Sequence, residues 1–318
     1  MSTPILPFLI LPLTRIECPG WGKLCTIAGV GRDRTNKRWK DARVVTMRGK
    51  WHGYQMDLDL SNWSDRLTFF LGRYYELDTQ LALLAALRRG DTFIDVGANY
   101  GMLSLLAASI VGHGGKVHSI EPNPTCVNRL QATIEQNSLN SFVSIHPVAV
   151  GSNTGNLTLS VFDNHTGSGT LANVPLTDRS SVTAAIKVDV RRLPDIVDAS
   201  ESQSMVIKID VEGLEMEVLR GSRDMLVENT PIIVLECVER HLQRAQSSQA
   251  EIASYLTDLG FQGFWLSTRR RGLRYHLSLV SVDSPMPDKA CNNWLWIHKL
   301  DPRIERLPQV ATPATSDN

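Results

Sequence analysis

Three short acidic segments hold the residues best placed to do chemistry. The first is Asp95-Val96-Gly97-Ala98-Asn99-Tyr100-Gly101, which follows one apolar run and precedes another. A strand ending in a glycine-containing turn lets a ligand approach the backbone closely. The helix expected after it offers free N–H groups and positive potential. The second is Ser119-Ile120-Glu121-Pro122-Asn123-Pro124. An acid at the end of a second strand, as Glu121 is, can take two ribose hydroxyls bidentately. The third is Lys208-Ile209-Asp210-Val211-Glu212-Gly213-Leu214-Glu215. Asp210 is expected at the end of a strand near the sheet centre and Glu212 at the next helix N-terminus, where reacting groups of open α/β sheets lie.

Spacing narrows the ligand. A dinucleotide fingerprint reads GxGxxG; here the glycines read GxxxG, with Asp95 in front. A carboxylate at that point repels a pyrophosphate and favours a cation such as the methionine end of S-adenosylmethionine (SAM). A dinucleotide oxidoreductase is disfavoured for that reason. The bland alternatives are a structural turn at Gly97 and Gly101, a solvated acid at Glu121, and a helix-capping cluster at Asp210 and Glu212.

These residues need strands and helices to hold them. Apolar runs predict strands over Thr92–Val96, Lys116–Ile120, Val143–Val150, Met205–Ile209 and Ile232–Leu235. Helices are expected over Met102–Ile110, Pro124–Gln136 with Asn123 as N-cap, and Leu214–Leu219 ended by Gly221. A helix that starts at an Asp78 N-cap and stops at Gly90 precedes them. Short apolar strands alternating with helices imply a mainly parallel sheet covered on both faces. Leu157–Phe162 and Ile186–Val190 break the rhythm and read as an inserted β-hairpin. The loop Asp163–Asn173, rich in Gly, Ser and Thr, reads as a lid or an exposed tip. A helix over Glu251–Leu259 and strands over Phe261–Leu266 and Trp294–His298 close the fold.

Composition excludes little beyond extremes. The chain has 318 residues, 42% of them hydrophobic and 21% charged, with Lys+Arg and Asp+Glu both 33. A balanced charge gives no global pull toward nucleic acid. The five cysteines Cys18, Cys25, Cys126, Cys237 and Cys291 show no CxxC spacing, which fits reduced thiols in a cytoplasmic protein and not a zinc site. The opening MSTPILPFLILPLT holds an apolar run of about ten residues, short of the roughly 20 that span a bilayer. It reads as a packed or partner-binding extension, a homodimer contact being one use, with an atypical signal or a membrane-surface anchor as alternatives. A basic stretch over residues 31–50 could hold phosphates or form a solvated surface.

Together the motifs resemble the FkbM family of SAM-dependent methyltransferases. The resemblance rests on DVGANYG at 95–101, EPNP at 121–124, the step Ala149-Val150-Gly151, GSGTL at 167–171, KIDVEGLE at 208–215 and LECVERH at 235–241. Leu71-Gly72-Arg73-Tyr74-Tyr75-Glu76 resembles the family's upstream G-x-Y-E segment. The resemblance implies a class I methyltransferase (Rossmann-like) fold: a seven-stranded, mainly parallel sheet with one antiparallel strand and helices on both faces. It implies O-methylation of sugar or polyketide hydroxyls. Asp95, Gly97, Asn99 and Gly101 would line the methionine and ribose part of SAM, with Glu121 on the ribose and Asn123 and Ala149 alongside. The expected organisation is an N-terminal extension (1–45), an FkbM-like domain (46–300) and a flexible tail (301–318).

Methylating an alcohol requires removal of its proton, so a base or a metal is expected. Asp210 and Glu212 are the leading candidates for a base or for hard oxygen ligands of a divalent cation such as Mg²⁺, although no complete metal site is specified. His165, in the flexible loop, and His241, after the fifth strand, are the imidazole candidates. Glu236 could orient substrate or cap its strand. Trp63, Trp265, Trp294 and Trp296 could stack on a sugar, with core packing as the alternative. The competing readings are a methyltransferase for nitrogen or protein acceptors, and a non-catalytic SAM-binding interaction protein.

Overall fold

The computed structural model describes residues 6–30, 37–162, 169–170, 182–199, 204–284 and 292–308. A 3₁₀ turn (Leu6–Ile10) leads into α1 (Leu11–Arg15) and α2 (Trp21–Ile27). An antiparallel pair follows, β1 (Val44–Arg48) with β2 (Gln55–Asp59), then α3 (Trp63–Leu71) and α4 (Leu77–Ala86). Asn62 caps α3, its side chain accepting from the Ser64 N–H at 3.0 Å. Phe8, Ile10 and Leu11 pack with Trp39, Phe70, Leu71 and Trp63 into an aromatic-rich cluster. Periodicity had shown no regular structure before residue 78, because these elements are short and their partners lie in other segments.

The alternating part begins with β3 (Thr92–Val96), α5 (Met102–Val111), β4 (Lys116–Ile120), α6 (Pro124–Gln136) and β5 (Val143–His146). The strand expected over Val143–Val150 is split: Pro147 follows β5, and β6 (Ala149–Val150) belongs to another sheet. The inserted hairpin is present as β7 (Gly155–Phe162) antiparallel to β9 (Val182–Arg191), with β8 (Gly169–Thr170) and β6 on its edges. Then come β10 (Met205–Ile209), α7 (Glu215–Gly221), α8 (Arg223–Asn229), β11 (Ile232–Glu236), α9 (Glu239–Arg244), α10 (Gln249–Asp258), β12 (Phe261–Arg271), β13 (Arg274–Ser281) and β14 (Asn293–His298). Gly221 ends α7 as expected, and Ser222 leads directly into a further helix, α8. By contrast, α4 starts after Glu76, not at an Asp78 cap, and ends at Ala86, before Gly90.

The main sheet has the order β13-β12-β14-β11-β10-β3-β4-β5. The run from β5 to β11 is parallel, and β14 is antiparallel to both neighbours. This is the class I methyltransferase arrangement with eight strands where seven were expected. The extra strand is β13, which extends the edge as a hairpin with β12. Chain order reverses between β3 and β10, the switch point where open α/β sheets bind ligands.

Side chains of the parallel strands alternate between two cores. Phe93, Val117, Val206 and Val234 face one, and Ile94, Ile120, Ile207 and Ile233 face the other. Each such side chain contributes about 1.5–3 kcal/mol relative to exposure. Alternation also carries the polar residues. Asp95, Glu121, Asp210 and Glu236 lie in phase with Phe93, Val117, Val206 and Val234, so four acids reach the carboxyl ends of adjacent strands on one face.

Candidate active site

At those ends a cleft opens, lined by the loops after β3, β4 and β10, by Glu236 at the end of β11, by β6, and by residues 62–65 and 74–76. The turn after β3 depends on unusual backbone. Gly97 has φ +81°, Asn99 +51° and Gly101 +76°. Gly97 N–H and Ala98 N–H both donate to the Ile120 carbonyl at 3.0 Å, and Asp210 N–H donates to the Val96 carbonyl at 3.0 Å. A Cβ at Gly97 would sit 1.9 Å from the Asp210 carbonyl oxygen, so glycine is required for the two loops to touch. Gly101 answers to a different neighbour: a Cβ there would meet Leu130 of α6. It does not line the cleft.

Asp95 is buried, and its Oδ2 accepts from Ser104 Oγ at 2.6 Å; Ser104 Oγ in turn accepts from Ser119 Oγ at 2.8 Å. Its Oδ1 is buried with no hydrogen-bond partner. Burial raises its pKa, opposed by Lys208 and the Ser104 hydrogen bond. Glu121 accepts from Asn99 N–H through Oε2 and from Asn123 N–H through Oε1, each at 2.8 Å. Burial pushes its pKa up to about 7 in spite of those donors. Both oxygens keep a further lone pair for a ligand. Asn123 caps α6 by accepting from Thr125 N–H at 3.0 Å, and Ala149 lines the same wall.

The second half of the cleft holds a charged array. Lys208 Nζ pairs with Asp210 Oδ2 at 2.8 Å. Burial would lower the Lys208 pKa, but Asp210, Asp95 and Glu76 together raise it, so the amine stays charged. For Asp210 burial pushes up, and the field of Lys208 with hydrogen bonds from Glu236 and Lys208 outweighs it. Glu236 is pushed well above the ordinary carboxylate range, first by Asp210 and then by burial. Of these two neighbouring carboxyls, Glu236 is the one whose neutral form is favoured and Asp210 the one whose charged form is. Glu76 lies beside them. Its Oε1 accepts from Tyr74 OH at 3.3 Å, and burial followed by the field of Asp210 moves its pKa up to about 7. Trp63 and Tyr75, with ring centroids 4.9 Å apart, and Tyr74, 4.6 Å from Tyr75, form an aromatic wall.

Glu212 also lines the cleft, with a left-handed φ of +54°. Its Oε2 meets His241 Nδ1 at 2.9 Å. His241 itself stands behind the lining. His165 lies outside the described residues, as does most of the loop Asp163–Asn173. Of the tryptophans, only Trp63 reaches the cleft; Trp265, Trp294 and Trp296 pack together in the core. Among the described residues no group of three His, Cys, Asp or Glu side chains is arranged to hold a metal. Sequence reasoning assigned no role to Glu76, Tyr74, Tyr75 or Lys208. The G-x-Y-E segment and the first residue of KIDVEGLE were the available signals.

A family model described as the methyltransferase FkbM domain matches residues 95–262, more than half of the chain. The chain belongs to the FkbM methyltransferase family. It is similar to methyltransferase sdnD of Sordaria araneosa, 30% identical over 203 residues, which span 56% of this chain and 76% of that protein. Methyltransferase 1 of Beauveria bassiana is 28% identical over 196 residues, 57% of this chain and 75% of that one. A solved FkbM methyltransferase from Methylobacillus flagellatus aligns with 16% identity and a TM-score of 0.40, over 74% of this chain and 54% of its own. This chain thus spans about half of that protein.

The residues present fit SAM, on which the family depends. The lining acids include Glu76, Asp95, Glu121, Asp210, Glu212 and Glu236, against Lys208 as the lining cation. That balance suits a cationic cofactor and repels a pyrophosphate. The orphaned Asp95 Oδ1 awaits a donor at the switch point. Among the described residues no helix is long and apolar enough to cross a membrane.

Proposed function

We propose that this FkbM methyltransferase transfers the methyl group of SAM to a hydroxyl oxygen of a sugar, a glycoconjugate or a polyketide-type small molecule. Asp95, Gly97, Asn99, Glu121, Asn123 and Ala149 would hold the cofactor, Glu121 by its ribose and Asp95 toward its cationic end. Bound there, SAM supplies an electrophilic methyl on a sulfonium.

The observation that carries the oxygen reading is Glu76. An alcohol becomes a competent nucleophile only as its proton leaves, and a base works best with a pKa near the working pH. Glu76 is half-buried in the cleft beside Tyr74, and its carboxyl is poised near neutrality by desolvation and Asp210. In this reading Glu76 takes the hydroxyl proton. Asp210, ionised by Lys208, keeps the proton of Glu236 in place. Glu212, steadied by His241, lines the acceptor side, and Tyr74, Tyr75 and Trp63 offer a ring face to a sugar or a fused polyketide. Such a base supplies about 10²–10⁴-fold in rate.

The acceptor class is tested with SAM carrying a labelled methyl group and a panel of sugars, hydroxylated polyketides, amines and peptides. Label recovered as a methyl ether supports the reading. Label recovered only on nitrogen or on peptides replaces it with the N- or protein-methylation alternative. SAM binding with no transfer to any member of a broad hydroxyl panel counts against it.

A further inference from the structure

Tyr74, Tyr75 and Glu76 form a wall of the cleft, and they stand in the loop between α3 and α4, outside any helix or strand. A loop has no ladder to fix it, so partners for its backbone groups must come from elsewhere. Gln80 Nε2 is one, donating to the carbonyls of Tyr74 and Glu76, each at 2.7 Å. Arg73 is another. Its Nη1 donates to the Tyr74 carbonyl at 2.7 Å and to the Tyr75 carbonyl at 3.4 Å. Arg73 is 1% exposed, so its guanidinium needs a counter-charge inside the protein.

That charge comes from the N-terminal segment. Arg73 Nε and Nη2 donate to Glu17 Oε1 and Oε2 at 3.0 and 2.7 Å, a two-pronged pairing that fixes the orientation of both planar groups. Glu17 is itself buried, with a left-handed φ of +53°. Such a backbone persists at a residue with a side chain only where the surroundings over-determine it. Here they do. Lys50 Nζ meets Glu17 Oε1 at 2.5 Å, and Arg270 Nη2 donates to the Glu17 carbonyl at 2.7 Å. Just upstream, Thr14 Oγ1 and Arg15 Nη2 donate to the carbonyls of Phe70 and Phe69 at 2.7 and 3.1 Å. Those carbonyls belong to the last turn of α3, which has no helical donors for them. Residues 14–17 thus fasten both the end of α3 and the loop after it. All of this lies upstream of residue 95, where the match to the family model begins.

Building on the reading of Glu76 as the base, we propose that Glu17 is a positioning residue for methyl transfer, holding Tyr74, Tyr75 and Glu76 in place through Arg73. Arg73 is the strut. Glu17 grips one edge of its guanidinium, and the other edge carries the carbonyls of the wall. Lysine could not do the same, because a point charge has no fork to span the two. Without the Glu17 carboxylate, Arg73 stays buried with its charge unmatched, and the guanidinium turns toward water and releases the Tyr74 carbonyl. Glu76 then gains water, while Asp210, Lys208 and Asp78 remain its charged neighbours. Asp95 and Glu121 stand at the ends of β3 and β4, so the cofactor side keeps its geometry.

The test is Glu17→Gln in the full-length protein, which keeps the side chain's shape and removes its charge. SAM affinity should match the wild type, which establishes that the variant is folded. Amides of residues 73–80 should exchange with deuterium at least about ten-fold faster, with those of β3 and β4 unchanged. The Glu76 carboxyl is followed by carbon NMR, its resonance assigned with Glu76→Gln. It should titrate near neutrality in the wild type and lower by about one unit or more in Glu17→Gln, as water reaches it. Ile252→Val, which thins the core under α10, serves as a destabilised control and should show neither change. Wild-type exchange and titration in folded Glu17→Gln overturn the proposal. So do equal changes in Ile252→Val, which would mark general loosening. Should Glu17→Gln not fold, the same two readouts decide in Lys50→Met, which removes one contact to Glu17 and leaves Arg73 in place. Both expected changes in Glu17→Gln, together with undiminished methyl transfer by Glu76→Gln, would displace Glu76 as the base and leave the hold of Glu17 on the wall established.

Discussion

Lys208 Nζ lies 2.8 Å from Asp210 Oδ2, two residues on along the same strand and just beyond its end. This contact anchors the acidic array, because Lys208 is the cation that Asp95, Glu76 and Asp210 share. Replacing it by methionine keeps the stem's volume and leaves the carboxyls facing one another. Removing one partner of a buried pair costs roughly 3–5 kcal/mol. Lys208→Met is therefore expected to lower the urea midpoint at pH 7 with an unchanged slope. Acidification should restore part of the loss as the acids protonate.

Glu215 makes a different prediction. Its Oε1 accepts from Gly213 N–H at 3.0 Å, while its Oε2 is buried without a partner. Burial pushes its pKa up to about 7. A carboxyl raised in the folded state binds its proton more tightly there than in the unfolded chain. The stability it contributes is full below its ordinary pKa and is lost as pH rises through about 7. Glutamine mimics the neutral acid. Glu215→Gln should match the wild type near pH 5 and be the more stable by roughly 1–3 kcal/mol at pH 8. Thermal melts across that range check it.

At Gly97 the constraint is steric. A methyl group there would sit 1.9 Å from a backbone oxygen at φ +81°, so neither side-chain movement nor rotamer choice relieves it. Gly97→Ala is expected to cost more than about 2 kcal/mol and to weaken SAM binding. Gly101→Ala strains the backbone similarly, but presses on the flexible end of Leu130, so α6 takes the damage. Melting temperature and SAM affinity, measured on both variants, separate the two.

Much of this site was legible from local pattern. Asp95, Glu121 and Asp210 end apolar strands, and strand-end position depends on adjacent residues alone. The pairing of Asp210 with Glu236 was not legible. It arises because Ile209 and Leu235 are register partners in a parallel pair joined through two helices. Glu76 was hidden for the same reason: α4 packs its start against strand ends far along the chain. Strand β13 and helix α8 escaped because a half-buried edge strand and a two-turn helix carry weak periodicity. The start of the chain reads as a packed or partner-binding extension, and the contacts that pack it were not legible: Trp39 and Cys25 are buried and Glu17 pairs with Arg73 at 2.7 Å. Its apolar residues find partners in α3, which no local window contains.

The cofactor site is the central claim, and calorimetric titration of SAM into the wild type beside Asp95→Ala and Glu121→Ala tests it most directly. In the proposed site each acid would make charge-assisted contacts worth about 1.5–3 kcal/mol, so each loss should weaken affinity by roughly 10–100-fold. Micromolar binding by the wild type that falls this far in both variants, with their folds intact, is the expected result. Absence of SAM binding by the folded wild type, or wild-type affinity in both variants, would contradict the account.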